Sequence, residues 1–94
     1  MYCIFATITP KKEHFRDARA AILSILEPTR SETGCNQFDV HTDEEFSVLY
    51  LYEQWIDQAA LKSHYEKGYT KRVFASYEHW LAKPVDIKSF TLLD

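Results

Sequence analysis

The sequence predicts an α+β domain in which four strands form one antiparallel sheet and the helices pack on a single face. Three observations predict it. Residues 2–8 and 46–55 alternate in apolar and aromatic side chains, the period of a strand with two distinct faces. Two windows, 15–26 and 60–81, carry apolar residues at helical spacing. Each helical window stands between strands, so the chain order is β-α-β-β-α-β, the ferredoxin-like or split-βαβ unit.

The first strand, 2–8, sets Tyr2, Ile4 and Ile8 opposite Cys3 and Phe5. Thr9 and Pro10 then read as an N-cap hydroxyl and a proline at the first helical position, where a missing N–H costs nothing. Phe15, Ala18, Ile22, Ile25 and Leu26 make one apolar stripe running toward residue 32, interrupted by Pro28. Gly34 is the expected stop, in the left-handed conformation that glycine accepts. Residues 35–41 form the second strand, with Asn36, Phe38 and Val40 on one face and Gln37, Asp39 and His41 on the other. The charged run 42–45 is the hairpin tip. The third strand, 46–55, sets Val48, Tyr50 and Tyr52 against Leu49, Leu51 and Trp55. Asp57 caps a short helix bearing Ala60, Leu61, His64 and Tyr65, and Gly68 interrupts it. A further helix over 69–81 buries Val73, Phe74 and Tyr77, and Pro84 precedes the last strand, 85–93.

Both faces of this sheet are apolar. An antiparallel sheet with one face in water shows polar residues there, and the chain has no further element to cover the second face. The expected cover is another copy of the chain, giving a homodimer packed sheet to sheet.

Ninety-four residues make one domain, 1–94, with no room for a second core. The net charge is −3 and the eleven Lys and Arg are dispersed, which argues against nucleic acid, because phosphate binding needs clustered positive charge. No stretch approaches the roughly 18 apolar residues of a membrane span, and the opening residues lack the pattern of a secretory leader. Cys3 and Cys35 show no CxxC spacing. Together these features predict a cytoplasmic protein with free thiols and no membrane partner. With only Gly34 and Gly68, neither GxGxxG nor a P-loop can form, so no nucleotide cofactor is expected. His14, His41, His64 and His79 form no metal-ligand spacing, and "HTDEE" (41–45) reads as a solvated hairpin tip, so no metal is expected.

His64 shares a helical face with Ala60 and Leu61, which fits a packed core residue, a pocket wall or an acid–base group. Burial disfavours the charged imidazole and leaves a neutral donor–acceptor, the species able to take a hydroxyl proton. Asn36, on the face of Phe38 and Val40, has an amide that must find a partner or face a pocket. Trp55 ends the third strand with an indole N–H that donates only. Glu53 shares its parity, and is expected either to bond the start of a neighbouring helix or to face the pocket. Cys35 packs rather than reacts.

"ETGCNQFDVHTD" followed by "FSVLYLYEQWIDQAALKSHYEKGY" resembles the antibiotic biosynthesis monooxygenase family. The resemblance rests on Glu32, Gly34, Cys35, Phe38, Asp39 and Val40, then Tyr52, Glu53 and Trp55, then Ala60, Leu61 and His64. It implies a dimeric α+β barrel with a cavity between helices and sheet. It also implies a cofactor-independent monooxygenase that oxidises a quinol or polyphenol with O2. His64, Asn36 and Trp55 are the catalytic residues this implies, and Leu51, Glu53, Tyr65, Tyr69 and Phe74 are the expected substrate contacts. Many members place a second histidine where this chain has Tyr69. A haem-degrading branch implies an asparagine in the first strand and a histidine on the last helix, which "CIFAT" and "RVFAS" lack. A branch that isomerises a phosphorylated signalling sugar, of the autoinducer-2 phosphate type, implies basic residues at the pocket mouth. Lys62, Lys67, Lys71 and Arg72 keep that alternative open, as does a non-catalytic dimeric ligand-binding module.

Overall fold

In the computed structural model, which describes residues 1–94, the strands are β1 (Tyr2–Ile8), β2 (Cys35–Asp43), β3 (Val48–Trp55) and β4 (Asp86–Thr91). The helices are α1 (Phe15–Ser24), α2 (Leu26–Arg30), α3 (Gln58–Tyr65) and α4 (Gly68–Trp80). All strand pairs are antiparallel, in the order β2-β3-β1-β4. The α+β ferredoxin-like architecture is as the alternation predicts.

The register decides which side chains meet the helices. β1 and β3 pair Ile4 with Glu53, Ala6 with Leu51 and Ile8 with Leu49, and these alternate positions are buried under the helical layer. Ile22, Ile25, Phe38, Trp55, Leu61, Val73 and Tyr77 complete the core. Tyr77 donates its hydroxyl to the Ala18 carbonyl at 2.8 Å, tying α4 to α1. Asp57 caps α3 as expected, its carboxylate accepting from the Ala60 N–H at 2.8 Å.

The first helical window differs from its sequence reading. Pro10 forms a bridge with Leu81 rather than opening a helix, and α1 begins only after a 3₁₀ turn at Lys12–His14. The helix then breaks at Ile25, three residues before Pro28. The proline has no N–H for the Ser24 carbonyl and its ring crowds that oxygen, so the chain restarts with Pro28 in the first turn of α2.

Gly34 also acts differently. Its φ is not in the left-handed region. A Cβ there would overlap the Ala60 Cβ, and the Gly34 carbonyl accepts from the Ile56 N–H at 2.9 Å. Glycine is required because α3 starts against this turn. Gly34→Ala is therefore expected to cost about 1–3 kcal/mol through overpacking. Pairing it with Ala60→Gly recovers most of that, less about 1 kcal/mol for glycine in a helix. Urea titration checks both, and a single Gly34→Ala variant as stable as the parent would rule out the contact.

The sheet's other face carries Phe5, Tyr50, Tyr52 and Phe90, with the Phe5 and Tyr50 rings stacked at 5.7 Å. No helix covers it. No helix is long and apolar enough to cross a membrane.

Candidate functional site

Between the helical layer and the sheet lies a cavity walled by apolar side chains, among them Ala6, Ile22, Leu51, Val73 and Phe74. Three polar residues interrupt this wall: Glu53 from β3, His64 from α3 and Thr70 from α4. The free volume is about 30 Å³, room for one or two waters and too small for an aromatic ring. Phe74, Tyr77, Val85 and Ile87 also line a depression open to solvent, which marks the entrance. Phe74, expected to be buried, is 39% exposed at this rim and meets Tyr65 edge-on at 5.9 Å. A ring-sized ligand would fit only if these side chains moved aside.

His64 is buried among rings, with Trp55 at 4.8 Å, Tyr65 at 5.7 Å and Phe38 at 5.8 Å between centroids. Its Nδ1 lies 2.9 Å from a Glu32 carboxylate oxygen and 3.5 Å from Thr70 Oγ1. A carboxylate only accepts, so Nδ1 donates to it; in the neutral imidazole Nε2, which has no protein partner, then holds the lone pair. This is how a neutral imidazole is oriented as a proton acceptor.

Glu32 was absent from the sequence-derived site, although it opens the quoted motif. It stands 32 residues before His64, in the turn between α2 and β2, and its carboxylate is held from two sides. The second donor is the Tyr69 hydroxyl, which also lies 3.3 Å from the Pro28 carbonyl. Burial and the Glu32 carboxylate push the Tyr69 phenol up, so it stays protonated and donates. Tyr69 does not line the cavity; its hydroxyl is committed to Glu32 on the outer side.

Glu53 is 4% exposed, and one of its oxygens accepts from Trp55 Nε1 at 2.9 Å. Of the two sequence alternatives, the structure places it on the cavity wall. Burial drives its carboxyl from 4.5 up to about 7; the Trp55 N–H opposes this and the Glu32 carboxylate adds to it. Trp55 is completely buried and its N–H is taken by Glu53, so it reaches the cavity only through that carboxyl. Burial, then the Glu53 charge, raises the Tyr65 phenol to about 12. Burial, then Glu32, raises the Cys35 thiol to about 11, which keeps it protonated and packed.

Asn36 does not join this group. The β2–β3 register shifts between Cys35 and Gln37, making Asn36 the extra residue of a bulge. Phe38 still faces the core, but Asn36 is exposed and its amide donates to the Met1 sulfur. One inserted residue reverses the parity that simple alternation assigns. Leu51, Glu53, His64, Tyr65 and Phe74 thus meet at the cavity, Trp55 lies behind it, Tyr69 stands outside, and Asn36 is remote.

Relatives share this frame. The chain is 33% identical over 85 residues to the uncharacterised protein sll1783 of Synechocystis, covering 89% of this chain. The match spans 56% of that relative's length, little more than half. The crystal structure of PA3566 from Pseudomonas aeruginosa superposes with a TM-score of 0.92 at 32% identity, covering 99% of this chain and 94% of that one. Rv0793 from Mycobacterium tuberculosis superposes with a TM-score of 0.93 at 25% identity, covering 99% and 95%. The sequence profile described as antibiotic biosynthesis monooxygenase matches residues 1–76, which include β1, the β2–β3 hairpin and every polar residue of the cavity. With that match over most of its length, the chain belongs to the antibiotic biosynthesis monooxygenase family.

Proposed function

We propose that the protein is a cofactor-independent monooxygenase that oxidises a quinol or polyphenol with O2. One observation carries the reading: His64 presents an unpartnered Nε2 at the wall of an apolar cavity while Glu32 holds Nδ1. Nε2 takes a hydroxyl proton from the bound ring, and the resulting electron-rich phenolate reduces O2 itself. For a hydroquinone the substrate supplies all four electrons. One oxygen atom enters the ring and the other leaves as water, giving a hydroxyquinone. Glu53, as a neutral acid, donates a hydrogen bond to the ring oxygen that becomes a carbonyl.

No lysine or arginine lines the cavity itself, although Lys83 stands in the depression at its mouth, so the interior suits an aromatic substrate better than a phosphorylated one. The reading includes a homodimer through the open sheet face, whose exposed aromatics a second copy would bury. Sedimentation at micromolar concentration is expected to give twice the chain mass; a compact monomer would exclude it. The activity itself is tested by oxygen uptake with a panel of benzo- and naphthohydroquinones, with ¹⁸O₂ to follow one atom into the product. Uptake no faster than autoxidation across the panel would overturn the reading, and binding without turnover would assign a ligand-binding module.

A further inference from the structure

The cavity and the solvent lie on opposite sides of one imidazole. His64 lines the inner cavity. Glu32 and Tyr69 line a separate, open groove bounded also by Ser31, Asp57, Ser63 and Lys67. The Glu32 side chain is 10% exposed and lines this groove, whereas His64, at 4%, does not line it. The 2.9 Å contact from Nδ1 to Glu32 is therefore the link between the two spaces.

The other polar groups of the cavity offer no such passage. Glu53 leads only to Trp55, which is completely buried. Thr70 is buried and leads back to His64 Nδ1. Glu78 and Lys83 line the outer depression but not the cavity, and the side chains the two share, Phe74, Tyr77, Val85 and Ile87, offer only the Tyr77 hydroxyl, which is given to the Ala18 carbonyl. The His64–Glu32 contact is the one that joins a cavity residue to the open groove by a hydrogen bond.

We propose that His64 and Glu32 form a proton exit through the cavity wall, carrying a ligand's hydroxyl proton to the outer groove. The inference rests on the proton-accepting role of His64 given above. The transfer balances in two moves. Nε2 gains the ligand proton as Nδ1 gives its own to the Glu32 carboxylate, leaving a neutral imidazole of the opposite tautomer. Glu32 then releases its proton to groove water. The ring regains its starting tautomer when Nε2 gives its proton to the reduced oxygen in the cavity and Nδ1 recovers one from the groove through Glu32, so the relay runs outward on deprotonation and inward on product formation. Tyr69, donating to the same carboxylate, holds it toward Nδ1 and acts as a positioning residue.

The test needs no substrate. In ¹⁵N-labelled protein, the His64 Nδ1–H exchanges with bulk water through the base it touches. Glu32→Gln keeps an acceptor of nearly the same shape but cannot take the proton, and is expected to slow this exchange about tenfold or more. Glu32→Ala is expected to be slow as well, and to recover when formate, but not chloride, is added. Recovery by a small carboxylate is not something a purely structural role would produce. Exchange in Glu32→Gln as fast as in the parent, or no effect of formate on Glu32→Ala, overturns the exit. Slowed exchange in a protein that oxidises no hydroquinone leaves the exit standing and removes the monooxygenase reading. Oxygen uptake with unchanged exchange does the reverse.

Discussion

His64→Ala is expected to lower hydroquinone-dependent oxygen uptake by about 10²- to 10⁴-fold, the range that general-base groups contribute. The imidazole is the proton acceptor of the proposed reaction, and its orientation is fixed. Its Nδ1 is held by Glu32 at 2.9 Å, and its ring is wedged 4.8 Å from Trp55. Alanine removes that base and leaves a gap beside Trp55 and Phe38. It also leaves the Glu32 carboxylate with Tyr69 as its only donor. Stability is expected to fall by about 2–4 kcal/mol, for the cavity and the lost charge-assisted bond together. Circular dichroism must therefore confirm folding at the assay temperature. Added imidazole, which fits the vacated space, is expected to restore part of the rate. A folded His64→Ala protein with full activity would remove His64 from the mechanism.

Glu53→Gln is expected to erase most of the pH dependence of stability between pH 5 and 8. The folded carboxyl titrates at about 7 and its ordinary value is 4.5, chiefly because it is buried. Between those values the folded protein keeps a proton that the unfolded chain has released. Stability therefore falls as pH rises through this window and levels off above it, by at most about 3 kcal/mol. Glutamine keeps a carbonyl for the Trp55 N–H and never ionises. At pH 5 the two proteins should melt within a few degrees of each other. At pH 8 the variant should melt about 10 °C higher, from the usual conversion for a domain of this size. Equal slopes of melting temperature against pH would show that Glu53 is not the buried acid. The same titration bears on the site, since an ionised Glu53 repels a phenolate where the neutral acid donates to it.

The helix–strand alternation was legible because it depends on local period. The face assignments of β1 and β3, the Asp57 cap and the placement of Glu53 with Trp55 all follow from parity or from spacing within a few residues. The misreadings arose where a local pattern met a tertiary constraint. Thr9 and Pro10 have the composition of a helix start, but Pro10 is drawn into a bridge with Leu81. Gly34 has the position of a helix stop, yet it answers to the Cβ of Ala60, which arrives 26 residues later. Asn36 fits an unbroken alternation, and the bulge that removes it from the cavity appears only when β2 is paired with β3.

The order of elements, the two apolar faces of the sheet and the placement of His64 on an inward helical stripe follow from local pattern. Each of these is set by residues within one or two turns of one another. What His64 touches is set by the fold. Its Nδ1 meets Glu32 across 32 residues of chain, Tyr69 closes on the same carboxylate from α4, and Trp55 gives its N–H to Glu53 rather than to the cavity. Those pairings fix which ring nitrogen donates to Glu32 and underlie the proton exit proposed above. They arise when α3 and α4 pack over the sheet beside the α2–β2 turn, a contact that no periodicity along the chain encodes.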